Sequence, residues 1–237
     1  MLVRELSDAI LHSRHLIDAE YLPAGLHESG GVAMRDRIQQ SIDACADGHD
    51  YILIGYGLCG NGTAGLLART VPLVLPRAHD CITLLTGGRK AFRKYFEAHP
   101  GTLFRSLGWV ERSEEMHTQL SSLGVNTPLG TFVAQYGEDA GSYLYEQFQQ
   151  YSRSYSRLTF IRTGLEPNDS FAAKARNEAH DKQWTYEELP GSLRIFHRML
   201  SGDWADDFLI VPPRCRTAAS YDENILAAVP GEANVRK

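Results

Sequence analysis

The segment Tyr51–Gly87, YILIGYGLCGNGTAGLLARTVPLVLPRAHDCITLLTG, decides how the chain is read. Two apolar runs of strand length, Tyr51–Tyr56 and Val71–Leu75, each stop at polar chain marked by glycine or proline, as buried parallel strands do. Just past the first run lies Cys59, among glycines at 55, 57, 60, 62 and 65. Just past the second lie Arg77, His79, Asp80 and Cys81. Open α/β sheets bind ligands beyond the carboxyl ends of their strands, so chemistry is expected at these two breaks.

Working outward, apolar spacing predicts a helix over 2–13 (Leu2, Leu6, Ile10) and another over 32–46 (Met34, Ile38, Ile42, Cys45). Between them Leu16–Leu22 reads as a strand. Further helices are expected at 63–69, 88–99, 132–151, 171–181 and 193–200, and strands at 158–161, 184–189 and 208–211. Residues 102–130 read as irregular, with Trp109 and Val110 in a short extended piece, and the tail after Arg216 as loosely held. Strands thus alternate with helices. The expectation is a single α/β domain over 1–237, embellished around 100–130. Its mostly parallel sheet would carry helices on both faces, in a Rossmann-like or flavodoxin-like three-layer arrangement.

The chain has 237 residues, enough for one sizeable core. Its net charge of −5 and lack of a long basic block speak against a nucleic-acid partner. The apolar runs are too short for a membrane span, and Arg4 and Glu5 break any signal-peptide pattern. Four cysteines, at 45, 59, 81 and 215, do not make a disulfide framework in a chain this long. A cytoplasmic protein that uses thiols as ligands or nucleophiles is expected.

In a single parallel sheet, His27, Cys59, His79, Asp80, Cys81, Thr163 and Pro212-Pro213 would gather along one edge. Thiolates beside imidazoles suit zinc, with iron or an iron–sulfur cluster as alternatives. A catalytic zinc needs three protein ligands and an open position. His27, Cys59 and Cys81 would supply them, with His79 as an alternate ligand and Asp80 as an alternate or an orienting group. The competing reading leaves Cys59 and Cys81 as small residues buried at strand ends. The loop Gly57, Gly60, Asn61, Gly62 reads either as a tight turn or as an anion or cofactor cradle. A cysteine ahead of a helix could also be a low-pKa thiolate. Arg77 is a candidate for holding an anionic substrate group, or for a structural salt bridge, and Tyr56 for donating a proton or packing.

These motifs resemble the domain of unknown function 1638 family. The resemblance rests on LxxxLH at 22–27, YILIGYGLCGNG at 51–62, LPRAHDCITLLTG at 75–87, PGTLFRSLGWVE at 100–111 and LSGDWADDFLIVPP at 200–213. It implies the site residues His27, Tyr56, Cys59, Arg77, His79, Asp80 and Cys81. It also implies an association with corrinoid-dependent methyltransferase systems. From it follow the expected roles: one-carbon metabolism, methyl transfer on a small-molecule substrate, and partnership with a corrinoid protein or methyltransferase. The alternative is a non-catalytic module delivering a metal, cluster or corrinoid, or a metal-free domain for small anions. Two features depart from the family pattern: no strand and cysteine precede the first helix, and Glu28-Ser29-Gly30 replaces the proline usual after the LH pair.

Overall fold

The computed structural model describes residues 1–23, 26, 30–45, 48–112 and 128–231. In chain order its elements are α1 (Val3–Leu11), α2 (Gly31–Ala44), β1 (Ile52–Leu53), β2 (Leu73–Pro76), α3 (Cys81–Leu85) and α4 (Arg89–Ala98). Then come β3 (Thr102–Ser106), α5 (Leu107–Glu111), α6 (Leu129–Tyr136), α7 (Glu138–Arg153), β4 (Arg157–Arg162), α8 (Ser170–Asp181) and β5 (Thr185–Pro190). The chain closes with α9 (Arg194–Ser201), β6 (Phe208–Val211), β7 (Cys215–Ala219) and β8 (Leu226–Pro230).

Contacts divide the chain into two compact units, Leu2–Tyr95 with Gly191–Lys237, and Phe96–Pro190 with Met1. In the first, β1, β2 and β6 form a three-stranded sheet in which β1 and β2 run parallel and β6 antiparallel. Strand β2 is buried along its whole length because both of its faces are covered. Leu73 and Leu75 pack with Met34, Ile38 and Ile42 of α2, whereas α9 lies against β2 from a contact set that also includes α1 and α3. The antiparallel hairpin β7–β8 adds Ile225 and Leu226 to the α2-side core.

The second unit is a small parallel sheet in the order β3-β4-β5. Parallel neighbours need a crossover, and α8 supplies the one between β4 and β5. Its Ala172, Ala175 and Ala179 repeat at helical spacing and lie on Leu158 and Phe160 of β4. Charged residues pair around the sheet: Arg157 of β4 with Glu187 of β5 at 2.7 Å, Arg162 of β4 with Glu188 of β5 at 2.8 Å, and Arg105 of β3 with Glu178 of α8 at 2.8 Å.

The expected three-layer Rossmann-like or flavodoxin-like fold, with one mostly parallel sheet, is therefore corrected. Among the described residues the sheets have three, three and two strands, and only β3-β4-β5 is wholly parallel. Alternation along the chain does not state which strands pair, and here the partners split between units. Residues 113–127 of the embellishment expected around 100–130 lie outside the described residues. The strand expected at 16–22 does not form, and 63–69 is turns and one bridge, Leu67 with Arg216, instead of a helix. Trp109 and Val110 are helical, not extended, and the strand of that region is β3. The helix expected over 132–151 is two helices, α6 and α7, broken at Gly137 with φ +81°, a conformation that favours glycine. The tail expected to be loose forms β7 and β8.

Phe160 is fully buried under α8. Phe160→Ala is expected to destabilise the protein by roughly 3–5 kcal/mol, measured by urea unfolding followed by far-UV circular dichroism. Glu178 is held below the usual carboxylate range: burial pushes it up, but the hydrogen bond and charge of Arg105, helped by Lys182, outweigh that. A depressed acid contributes stability above its unfolded value and loses it as pH falls through the folded one. Acid unfolding followed below about pH 4.3 should therefore lose part of its pH dependence in Glu178→Gln.

Candidate functional site

The site grows from the pairing of β1 with β2, which continues beyond both strands. The Ile54 amide donates to the Val74 carbonyl at 2.9 Å, the Leu58 amide to Ala78 at 2.8 Å, and the Cys59 amide to His79 at 2.8 Å. The two loops are therefore joined backbone to backbone, and Cys59 is fixed beside the chain at 79–81. Gly57 makes this approach possible, since a Cβ there would stand 2.8 Å from the Asp80 nitrogen.

Cys59, Gly60 and Asn61 then turn in the left-handed region, with φ of +44°, +62° and +67°. Glycine and asparagine tolerate this; a cysteine there is strained by roughly 1–3 kcal/mol. The rest of the turn is held from outside. The Thr217 hydroxyl on β7 donates to the Thr63 carbonyl at 2.6 Å and accepts from the Leu66 amide at 2.8 Å. The Gly65 amide donates to the Thr217 carbonyl at 2.7 Å.

Burial pushes the Cys59 thiol up to about 12, and the negative charges of Cys81 and Asp80 act in the same direction. That places both groups in Cys59's electrostatic neighbourhood. It also removes the low-pKa thiolate reading, because the helix expected after Cys59 is absent and its surroundings are acidic. Tyr56, packed against the α2-side core, is raised by burial and by Cys59, with Arg37 opposing. Asp80 Oδ1 accepts from the Thr83 amide and hydroxyl, both at 2.8 Å, and so caps α3, whose first residue is Cys81. His79 is exposed.

Arg77 is drawn away from the loops. Its Nε donates to the Phe208 carbonyl at 3.3 Å, and its Nη1 to the carbonyls of Asn224, at 3.0 Å, and Leu226. The guanidinium ties β2 to β6 and to the hairpin. Amides of the glycine-rich loop are also spent internally: those of Gly62, Thr63 and Ala64 bond to Cys59, Leu58 and Asn61 carbonyls. A Cβ on Gly62 would collide with Met34. Close packing explains Gly57 and Gly62 without an anion.

The expected convergence along one edge is only partly realised. Cys59 is bonded through its amide to the chain just before Asp80 and Cys81, whereas Thr163 follows β4 in the other unit. Because β6 is antiparallel, Pro212-Pro213 follows Val211, which pairs with the first residue of β2, at the opposite edge. His27 lies outside the described residues. Among the described residues, no three of Cys59, His79, Asp80 and Cys81 bring ligand atoms within 4.8 Å of one another. Sequence reasoning missed Thr217; the signal available was the Ser220–Asn224 turn, in which Asp222 accepts from Ser220 and from the Asn224 amide.

A family model described as protein of unknown function (DUF1638) matches residues 21–200, which contain both loops. The chain belongs to the DUF1638 family. No curated protein and no solved structure matches it. The DUF1638 match ends before β6, β7 and β8, so Thr217 and the carbonyls that hold Arg77 come from outside it. No helix among the described residues is long and apolar enough to cross a membrane.

In chelator-treated protein, alkylation of Cys59 by iodoacetamide at pH 7 is expected to be far slower than that of a free cysteine, and to accelerate as pH rises toward 10. Peptide mass mapping checks this; reaction at the free-cysteine rate at pH 7 would contradict the burial argument.

Proposed function

We propose that the protein binds a thiophilic divalent metal, zinc foremost, through Cys59 and Cys81. A histidine, His27 or His79, would complete the set. The supporting observation is the backbone junction of the two loops, which holds Cys59 against the chain at 79–81, where the charges of Cys81 and Asp80 act on its thiol. The donor chemistry fits: two sulfurs with imidazole form a set that zinc accepts and hard cations do not. A cysteine held in the left-handed region is the kind of strain found where a side chain must point in one direction.

The chain's own residues would act as follows. Cys59 and Cys81 bind the metal, and Asp80, fixed by Thr83, keeps the start of α3 and thus Cys81 in place. Zinc, when bound, supplies Lewis-acid activation of a thiol or water. The finer reading is methyl transfer in partnership with a corrinoid protein, and it rests on the family resemblance. A small-anion site in the loop at 57–62 is less favoured, since the amides such a site would use serve the turn itself.

Metal analysis of protein purified without chelator tests the proposal. About one zinc per chain is expected to depend on both Cys59 and Cys81, disappearing in Cys59→Ser and in Cys81→Ser. Metal content unchanged by both substitutions would sink it. Equilibrium dialysis against cobalamin then separates the finer reading, which expects retention of the corrinoid.

A further inference from the structure

A second cluster of ligand-type side chains lies away from the cysteine loops. Asp8 of α1 and His12, the residue that caps the end of that helix, are four residues apart and share one face. His197 of α9 meets them, its Nε2 standing 3.1 Å from Asp8 Oδ2. His12 Nδ1 is 3.7 Å from the same oxygen, and the two imidazoles lie 5.5 Å apart centre to centre. One ligand atom from each of the three residues falls within 4.8 Å of the others, the only such trio among the described residues.

We propose that Asp8, His12 and His197 form a divalent transition-metal site that clamps α1 onto α9. Two imidazoles and one carboxylate suit zinc, cobalt, nickel or ferrous iron, unlike the oxygen-rich sets of calcium and magnesium. Bonds of about 2.0–2.2 Å from zinc to nitrogen and oxygen place tetrahedral ligands roughly 3.3–3.5 Å apart. His197 Nε2 and Asp8 Oδ2, 3.1 Å apart, already lie close to that spacing. The Asp8 carbonyl accepts a hydrogen bond from His12 Nδ1 at 2.8 Å, which leaves the Nε2 lone pair of a neutral ring for a metal.

The surroundings allow the ion in. His12 and His197 are 63% and 39% exposed, so their lone pairs reach solvent without any opening of the core. Behind them the two helices are already packed: Ala9 is buried, as are Ile195, Phe196, Met199 and Leu200 of α9. Three protein ligands leave at least one position for water, so the site is open as well as structural. Without metal, the same geometry gives a plain contact between Asp8 and His197. The presence of His12 on the same carboxylate oxygen distinguishes a ligand set from a simple pair.

Cobalt substitution separates this site from the cysteine site. Co²⁺ is titrated into chelator-stripped full-length protein carrying Cys59→Ser and Cys81→Ser, with visible absorption and calorimetry as readouts. Binding of about one cobalt per chain without a sulfur-to-metal charge-transfer band is expected. It should weaken by more than about tenfold on adding His12→Ala or His197→Ala, the lower end of what even an outer-shell loss does. Zinc should raise the melting temperature of the cysteine-free protein and lose that effect in His197→Ala. Circular dichroism of each variant shows whether α1 and α9 remain folded. Cobalt affinity unchanged by both histidine substitutions, or no binding in the cysteine-free protein, overturns the proposal and leaves the cysteine site untouched.

Discussion

The arrangement hangs on a short parallel pair whose hydrogen bonding outlasts its strands. Strand β1 is only two residues long, yet its ladder with β2 resumes at Leu58 and Cys59, which donate to Ala78 and His79. Buried amides must be paired, so these bonds fix the register of one loop on the other. A slip by one residue would turn every following side chain to the opposite face. Cys59 is held against the chain that leads into Asp80 and Cys81 by its own main-chain bond to His79.

Sequence reasoning found the carriers of this arrangement and misjudged their supports. The helices α1, α2, α4, α8 and α9 were legible because their apolar residues repeat at helical spacing. Strands β2, β4, β5 and β6 were legible as short apolar or alternating runs. Their partners were not, since pairing depends on where the chain goes between them. Strand β6 returns antiparallel against β2, and β3, β4 and β5 pair among themselves as an open sheet. The residues at 63–69 have helical composition, but Thr217 captures Thr63 and Leu66 before a helical turn can close.

Individual residues show why proximity to a strand end is weak information. Arg77 is expected to hold an anionic group or form a structural salt bridge, and Asp80 to ligate or orient. Asp80 sits beside the cysteines but spends an oxygen on the cap of α3, a role signalled by the spacing Asp80-x-x-Thr83. Arg77 points across the sheet to carbonyls of β6 and the hairpin, contacts that no local pattern announces. The Asp8, His12 and His197 trio was equally hidden, because its members come from helices at distant points of the chain.

The family match covers 21–200, whereas β6, β7 and β8 lie at 208–230. A chain cut to the matched span would leave β2 with a bare hydrogen-bonding side where β6 now sits, and would strip the Arg77 guanidinium of its carbonyl acceptors. A short, wholly apolar strand with an uncovered margin is a template for pairing with other chains. The segment after the matched span thus covers a margin that would otherwise stand open to other chains.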